Sequence, residues 1–305
     1  MAASIFWAVL AIGASVVVSS TACSDGRGGQ RSTDPASSEA VIRITGSDTM
    51  VNLVQAWAEN YKRARPDVSV QVTGGGSGIG IAGLSEGILD IAAASREMTV
   101  DEMNRAKAHN GTQPQEFTVA LDALAVYVHK DNPLDSISIE ELAEIYGEGG
   151  QIQKWSRLGI TNPACKSDAI IRVGRQNSSG TYAYFREVVL GGKREYKLGS
   201  IDQSGSKDVV ALVSRTPCAI GYSGMAFAVI GVKALKVAKK KGGPMVPPTA
   251  DAAIDGSYPI ARRLYLYTPG EPMGPTKAFL DWVLGIDGQQ IVRDVGYVPV
   301  HVTGT

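Results

Sequence analysis

Apolar positions along this chain follow two spacings in turn. Residues 41–45 (VIRIT), 68–72 (VSVQV), 89–94 (LDIAAA), 169–173 and 264–267 form short apolar-rich runs that read as strands. Between them, apolar residues recur every three or four positions. Val51, Val54, Trp57, Ala58 and Tyr61 outline a helix, which Ser47 or Asp48 can cap and Arg65-Pro66-Asp67 ends. Ile81, Leu84, Ser85 and Ile88 outline a shorter one. Thr99 and Glu102 form a capping-box pattern ahead of residues 100–109. Ser138 caps a helix over 139–146, and Tyr182, Phe185, Val188 and Val189 make the next helical face. Ser206 opens a helix over 209–213, residues 219–222 read as a return crossing, and 279–284 and 289–295 are the last helices. Strand and helix alternating in this way predict an open α/β sheet.

Residues 117–129 (FTVALDALAVYVH) are longer than an average strand and are broken by Asp122. A strand that leaves one lobe and enters another has this length. The expected division is 40–120 as the first part of lobe 1, 121–220 as lobe 2 and 221–305 as the second part of lobe 1.

Four of the apolar runs end in small polar turns. These are Gly46-Ser47-Asp48-Thr49, Gly74-Gly75-Gly76-Ser77-Gly78, Ser95-Arg96 and Asn177-Ser178-Ser179-Gly180-Thr181. Such turns leave hydroxyls and backbone N–H groups unpaired, and a helix starting there adds about half a positive charge. The combination favours a bound anion. In open α/β sheets, ligands sit beyond the carboxyl ends of strands, where these turns lie. Two groups of turns separated by a long crossing strand predict a cleft between lobes that closes by hinge motion. Arg96 and Arg175 each adjoin a turn, and a guanidinium fork can hold two oxygens of an oxyanion. A structural ion pair is the competing use of either arginine. Asp48 is the one carboxylate inside a turn. Helix capping is its ordinary role. Its more specific role is to accept the proton that hydrogen phosphate carries and sulfate lacks.

Composition narrows the classes. The chain has 305 residues and a formal net charge of zero, which argues against a nucleic-acid surface as its main business. The only basic cluster, residues 236–241, reads as a solvated helix end before Gly242-Gly243. Gly78-Ile79-Gly80-Ile81-Ala82-Gly83 fits a dinucleotide pattern, but no acidic ribose ligand follows a second strand, and an anion turn fits equally well. His109, His129 and His301 are isolated and show no metal spacing. No serine has a nominated base, so neither an enzyme nor a cofactor is expected.

Residues 5–18 have the length of a signal-peptide apolar region, and Ser19-Ser20-Thr21-Ala22-Cys23 resembles a bacterial lipobox. Residues 1–23 are therefore expected to be a signal peptide with Cys23 lipidated; plain secretion and an uncleaved anchor are the alternatives. Residues 24–39 read as a flexible tether. Cys165 and Cys218 then remain as an even pair in an oxidising compartment and are expected to form a disulfide, against two buried free thiols.

Several motifs occur in a telling order. They are Gly46-Ser47-Asp48-Thr49-Met50, Gly75-Gly76-Ser77-Gly78-Ile79-Gly80-Ile81, and Asp90-Ile91 leading to Ser95-Arg96-Glu97-Met98. Leu121-Asp122 with Val128-His129-Lys130-Asp131-Asn132-Pro133 follows, then Arg175 with Ser178-Ser179-Gly180-Thr181, then Tyr258-Pro259 before Arg263-Leu264-Tyr265-Leu266-Tyr267. This series resembles the phosphate-binding proteins of phosphate ABC transporters, the PstS family, over residues 42–299. The resemblance implies a two-lobed periplasmic-binding-protein fold of the second type. It implies capture of inorganic phosphate for a membrane permease. With the lipobox-like segment at Cys23, the expected protein is a lipid-anchored monomer outside the cytoplasmic membrane. By motif it implies ligand contacts from Thr49 with its neighbours Ser47 and Asp48, from Ser77 with Gly78, and from Ser95 and Arg175. Ser178, Ser179, Gly180 and Thr181 complete the set, with Arg96 as a further candidate. Some family members carry Asp at the place of Arg96, where it accepts the phosphate proton. Here Asp48 is the substitute candidate and Glu97 the next. The competing readings are a receptor for sulfate, molybdate or tungstate, and an exported enzyme acting on phosphate esters.

Overall fold

The computed structural model of the protein describes residues 39–300. The expected leader and lipidation at Cys23, the tether up to residue 38 and His301 lie outside the described residues.

Strand and helix alternate strictly at first. β1 (Ala40–Gly46), α1 (Val51–Ala64), β2 (Val68–Thr73), α2 (Ser77–Ser85), β3 (Ile91–Ala94) and α3 (Val100–Asn110) lead into the long β4 (Gln115–His129). Next come β5 (Ser136–Ser138), α4 (Ile139–Tyr146), β6 (Ile171–Arg175), α5 (Gly180–Leu190), β7 (Ile201–Gln203), α6 (Ser206–Arg215) and β8 (Ala219–Gly224). The remainder is β9 (Val232–Ala234), β10 (Lys236–Ala238), α7 (Ala250–Ile254), β11 (Ala261–Thr268), α8 (Gly274–Leu284) and α9 (Ile286–Asp294).

The main sheet runs β2-β1-β3-β11-β4-β8-β6-β7, with β9 also on β4. β1 lies parallel to β2 and β3, and β6 lies parallel to β7 and β8. β4 is antiparallel to both its neighbours and divides its length between them. Residues up to Ala123 pair with β11, and residues from Leu124 pair with β8. One strand thus joins two half-sheets, and Asp122 sits beside the joint.

Helices cover both faces of this strand, which is why its apolar run is nearly continuous. Ala125 and Tyr127 enter one core with Ile42, Ile44, Trp57 and Phe279. Leu124, Val126 and Val128 point the other way, into a core with Tyr146, Trp155, Phe185 and Tyr222. α1 illustrates how spacing becomes packing. Its buried residues are Leu53, Val54, Trp57 and Tyr61, and Tyr61 meets Phe279 edge-on with ring centroids 5.1 Å apart. Trp57 is fully buried, and its indole N–H donates to Gly288 O at 2.8 Å. Burial of a side chain of this size stabilises by on the order of 3 kcal/mol.

The capping boxes at Thr99/Glu102 and Ser138/Glu141 are both present. The cap expected on α1 is not. That helix starts after Met50, which makes no side-chain cap, and Asp48 instead accepts from Gly75 N at 2.9 Å. A turn closed by Met50 N on Ser47 O precedes the helix, and the Ser47 hydroxyl bonds to Ser95 Oγ. α2 begins at Ser77, four residues before its first expected apolar position, because Gly78 and Gly80 carry no apolar signal and Ile79 lies on the exposed side. Their smallness has a use: a Cβ at Gly80 would lie 2.3 Å from Thr45 O. The basic run 236–241 is not a helix end. Its first three residues form β10, parallel to β5, with Val237 and Ala238 buried and Lys236 exposed.

Cys165 and Cys218 are joined, with Cα atoms 5.0 Å apart and a sequence separation of 53. The bridge ties the loop before β6 to the start of β8, away from the polar turns. Replacing both cysteines by serine is expected to lower the unfolding free energy by about 4 kcal/mol, as the loop-entropy argument gives for this length. Denaturant melts measure that loss, and ligand affinity of the folded variant should match the unmodified protein.

Candidate functional site

The four polar turns meet. Backbone bonds first tie three of them together: Ser47 N donates to Ala93 O at 2.8 Å, and Gly76 N to Gly46 O at 2.9 Å. Ser95 N donates to Ser77 Oγ at 3.0 Å. The fourth turn starts α5, where Ser179 Oγ caps the helix by accepting from Thr181 N at 3.1 Å. It reaches the others through Gly78 N, which donates to Ser178 O at 3.0 Å.

Six hydroxyls with almost no exposure line the meeting point: Ser47, Thr49, Ser77, Ser95, Thr181 and Ser206. Ser47 Oγ donates to Ser95 Oγ at 2.9 Å, and Ser77 Oγ lies 3.3 Å from Ser95 Oγ. Thr49 Oγ1 lies 3.0 Å from Thr181 Oγ1 and 3.3 Å from Ser206 Oγ. These last contacts cross from the β1–β3 half-sheet to the β6–β8 half-sheet. Three helices start at the cluster, α2 at Ser77, α5 at Gly180 and α6 at Ser206, each bringing partial positive charge. Gly180 permits the approach: a Cβ there would lie 2.3 Å from Ser77 Oγ and 2.6 Å from Ser95 Oγ.

Arg175 ends β6 and is 1% exposed. Its Nη1 donates to Ser206 Oγ at 2.9 Å, and its Nη2 donates to Ser204 O at 2.7 Å. Its only carboxylate partner among the described residues is Asp48, at a long 3.4 Å. Nε has no partner among the described residues. Burial pulls the Arg175 pKa down to about 10, against the pull of Asp48, so the side chain stays charged at neutral pH. A buried cation with so loose a counterion has capacity for another anion.

Arg96 is placed differently. Its Nη1 and Nη2 fork onto Glu102 at 2.8 and 2.7 Å, and Nη1 also donates to Glu97 O. The structure thus gives Arg96 the ion-pair use and no hydrogen bond to the hydroxyl cluster. Glu97 accepts from the Tyr265 hydroxyl at 3.0 Å and likewise stays outside. Burial pushes the Glu102 carboxyl up, but the hydrogen bonds from Arg96 and Thr99 outweigh it and the net shift is downward.

Two groups at the cluster are not among the ligand contacts expected from the sequence. The pattern gives Ser206 only as a helix start. Arg262 and Asp122 form a buried pair, 5% and 0% exposed, with Arg262 Nε and Nη2 at 3.0 and 2.8 Å from Asp122 Oδ2. Burial pushes the Asp122 carboxyl up, against the pull of Arg262. The signal was available. A carboxylate inside an apolar strand needs a partner, and Arg262 stands opposite Asp122 in the β11–β4 register. Strand alternation buries Arg262 and exposes Arg263. No group of three or more His, Cys, Asp or Glu among the described residues is placed to hold a metal.

Hydroxyls, helix starts and a buried guanidinium, gathered from the strand ends of two half-sheets, define an oxyanion-binding protein of the periplasmic-binding-protein type, and a family model described as a PBP superfamily domain matches residues 31–285. The curated phosphate-binding protein PstS of Pseudomonas aeruginosa is 37% identical over 269 residues, covering 85% of this chain and 83% of that one. PstS of Bacillus subtilis is 35% identical over 260 residues, covering 85% and 80%. The chain belongs to the PstS family of phosphate-binding proteins. Its fold also matches a crystal structure described as a phosphate ABC transporter substrate-binding protein with bound phosphate, from Clostridium perfringens. That match has a TM-score of 0.75 at 30% identity and covers 86% of this chain and 100% of the other. An ABC-type phosphate transport receptor from Vibrio cholerae aligns with a TM-score of 0.67 at 26% identity, covering 84% and 99%.

The Arg96–Glu102 pair generates a test of its own. Arg96→Ala is expected to cost about 1.5–3 kcal/mol of stability, the range for hydrogen bonds to charged groups, and to leave anion affinity within about twofold. The sign with pH follows from the lowered Glu102 pKa. The pair's contribution is full above the unfolded carboxyl value and is lost as pH falls through the folded one. Melting curves of both proteins should therefore converge in acid.

Proposed function

We propose that this protein is an extracytoplasmic solute-binding protein that captures inorganic phosphate for an ABC transporter permease. The observation that carries the reading is Arg175, a nearly inaccessible cation whose Nε has no partner among the described residues, facing a cluster of hydroxyls and helix starts. The protein binds the anion without altering it. The proposed lobes are 40–120 with 221–305, and 121–220, closing over the ligand. On opening, the hydroxyl contacts that cross the half-sheets part. On closing, each exchanges its hydroxyl neighbour for a phosphate oxygen. The names of the relatives favour phosphate over sulfate, molybdate or tungstate, and favour a binding protein over an esterase. Anchoring through a lipid on Cys23 and a monomeric state complete the proposal.

Selectivity in this reading rests on Asp48. Hydroxyls, N–H groups and guanidinium all donate, so they hold phosphate and sulfate alike. A carboxylate beside the anion accepts the proton of hydrogen phosphate and repels a fully ionised sulfate. Asp48 is 20% exposed on its side chain, and its Oδ2 is the atom turned towards Arg175.

Two measurements follow. In calorimetric titrations Arg175→Ala is expected to lose about 2–5 kcal/mol of phosphate binding, as for other paired buried charges, with Arg175→Lys recovering only part because the fork is gone. Unchanged affinity in the alanine variant would return Arg175 to a purely structural role. Asp48→Asn is expected to weaken phosphate binding and to narrow the preference over sulfate, since an amide can donate to either anion. Should the asparagine variant keep its full selectivity, the acceptor lies elsewhere.

A further inference from the structure

Arg262 offers five N–H donors, and the structure supplies an acceptor for each. Nε and one Nη2 hydrogen go to Asp122 Oδ2. Nη1 donates to Ser95 O at 3.2 Å and to Thr181 Oγ1 at 3.0 Å. The second Nη2 hydrogen is directed to Thr49 Oγ1 at 3.4 Å. The plane is held from outside by the Tyr184 ring, whose centroid lies 5.8 Å from Cζ. Arg175 keeps donor capacity in reserve; Arg262 has none. Its charge is also offset by a carboxylate at hydrogen-bond distance. The two buried arginines of the site therefore do different work, and Arg262 is not built to grip an anion itself.

Its effect falls on the hydroxyls. Thr181, Thr49 and Ser206 form a chain of three hydroxyls with two oxygen–oxygen contacts. Each contact uses one proton, so three hydroxyl protons exceed the contacts by one. Arg262 fills an acceptor position on Thr181 and on Thr49, and Arg175 fills one on Ser206. A hydroxyl whose lone pair receives a guanidinium hydrogen must send its own proton elsewhere. The chain is thus polarised from both ends, and its surplus proton points out of it. Arg262 touches three of the four turns: the first at Thr49, the third at Ser95 and the fourth at Thr181.

We propose that Arg262, fixed by Asp122, is a positioning residue for oxyanion capture. It orders the Thr49 and Thr181 hydroxyls as donors without contacting the anion. This rests on the oxyanion-binding reading given above. The rival account is that the Arg262–Asp122 pair only fastens β11 to β4.

A double-mutant cycle separates the two. Unmodified protein is first titrated with phosphate and with sulfate. Absence of phosphate binding overturns the choice of ligand alone, and the cycle is then run with sulfate; absence of binding to either overturns both readings. Arg262→Lys keeps the charge and loses the planar five-donor pattern, and it is expected to weaken binding by about tenfold or more. In a Thr181→Val background the same change should cost at least about fivefold less, because the hydroxyl it acted through is gone. A merely structural role lowers the melting temperature and leaves the two losses additive within about twofold, which overturns the proposal. If Arg262→Lys does not fold, the cycle is run with Asp122→Asn, which loosens the fixation of Arg262 and leaves its donors in place. A loss at least about fivefold smaller in the Thr181→Val background supports the proposal, and losses additive within about twofold reject it.

Discussion

A carboxylate buried in the middle of an apolar strand cannot stand alone. Asp122 lies where β4 ends its pairing with β11 and begins its pairing with β8. Removing such a group from water costs several kcal/mol unless a charge and hydrogen bonds compensate. The antiparallel register answers this by setting Arg262 directly opposite. Once the pair is in place, the remaining guanidinium donors need acceptors, and only the polar turns at the ends of β1 and β3 and at the start of α5 supply them. The burial requirement of one side chain thus propagates outward, through Arg262, to the arrangement of three turns from both half-sheets. The site is assembled around the joint of the fold.

What surrounds that joint is mostly neutral. Six buried hydroxyls and three helix starts carry the donor array, with formal charge confined to Arg175, Asp48 and the internally balanced pair. Dipoles of this kind have a physical advantage for a site that must also release its ligand. They hold an anion through directed bonds in a low-dielectric place without an excess of buried cations. Glycine makes the density possible. Gly180 lets the start of α5 come against Ser77 and Ser95, and Gly80 lets α2 lie on the backbone of β1, spacings that a single methyl group would prevent.

The elements with the clearest sequence signal were those whose side chains report a single environment. α1 shows its helical stripe because one face is buried, and the boxes at Thr99 and Ser138 are legible because capping is local. The polar turns were legible because Ser, Thr and Gly crowd there for a reason that needs no distant partner. Three-residue strands such as β5, β7 and β10 are too short to show a period, and in β10 flanking lysines masked the two buried residues. Arg96 shows the limit of neighbourhood reasoning. It stands next to a polar turn in sequence, yet Glu102 lies six positions on, at the first turn of α3, and captures its fork. Arg262 shows the converse. No Ser/Gly turn adjoins it in sequence, and its partner Asp122 appears only when β11 is laid against β4.

Asp48 and Arg175 remain as the two charges at the site without a counterion at close range. Asp48 Oδ1 is occupied by Gly75 N, which fixes the carboxylate on the first two turns, while Oδ2 meets Arg175 across the half-sheets at 3.4 Å. That distance is too long for a strong charge-assisted bond. Phosphate placed between them would improve both sides at once on the proposed reading. Its oxygens give Arg175 closer acceptors, and its proton gives Oδ2 a donor in place of a distant cation. Sulfate can serve the arginine in the same way, but it leaves the carboxylate facing negative charge with its counterion drawn elsewhere. On the proposed reading the loose contact is the feature on which discrimination turns, since a tight Asp48–Arg175 bridge would gain little by admitting either anion.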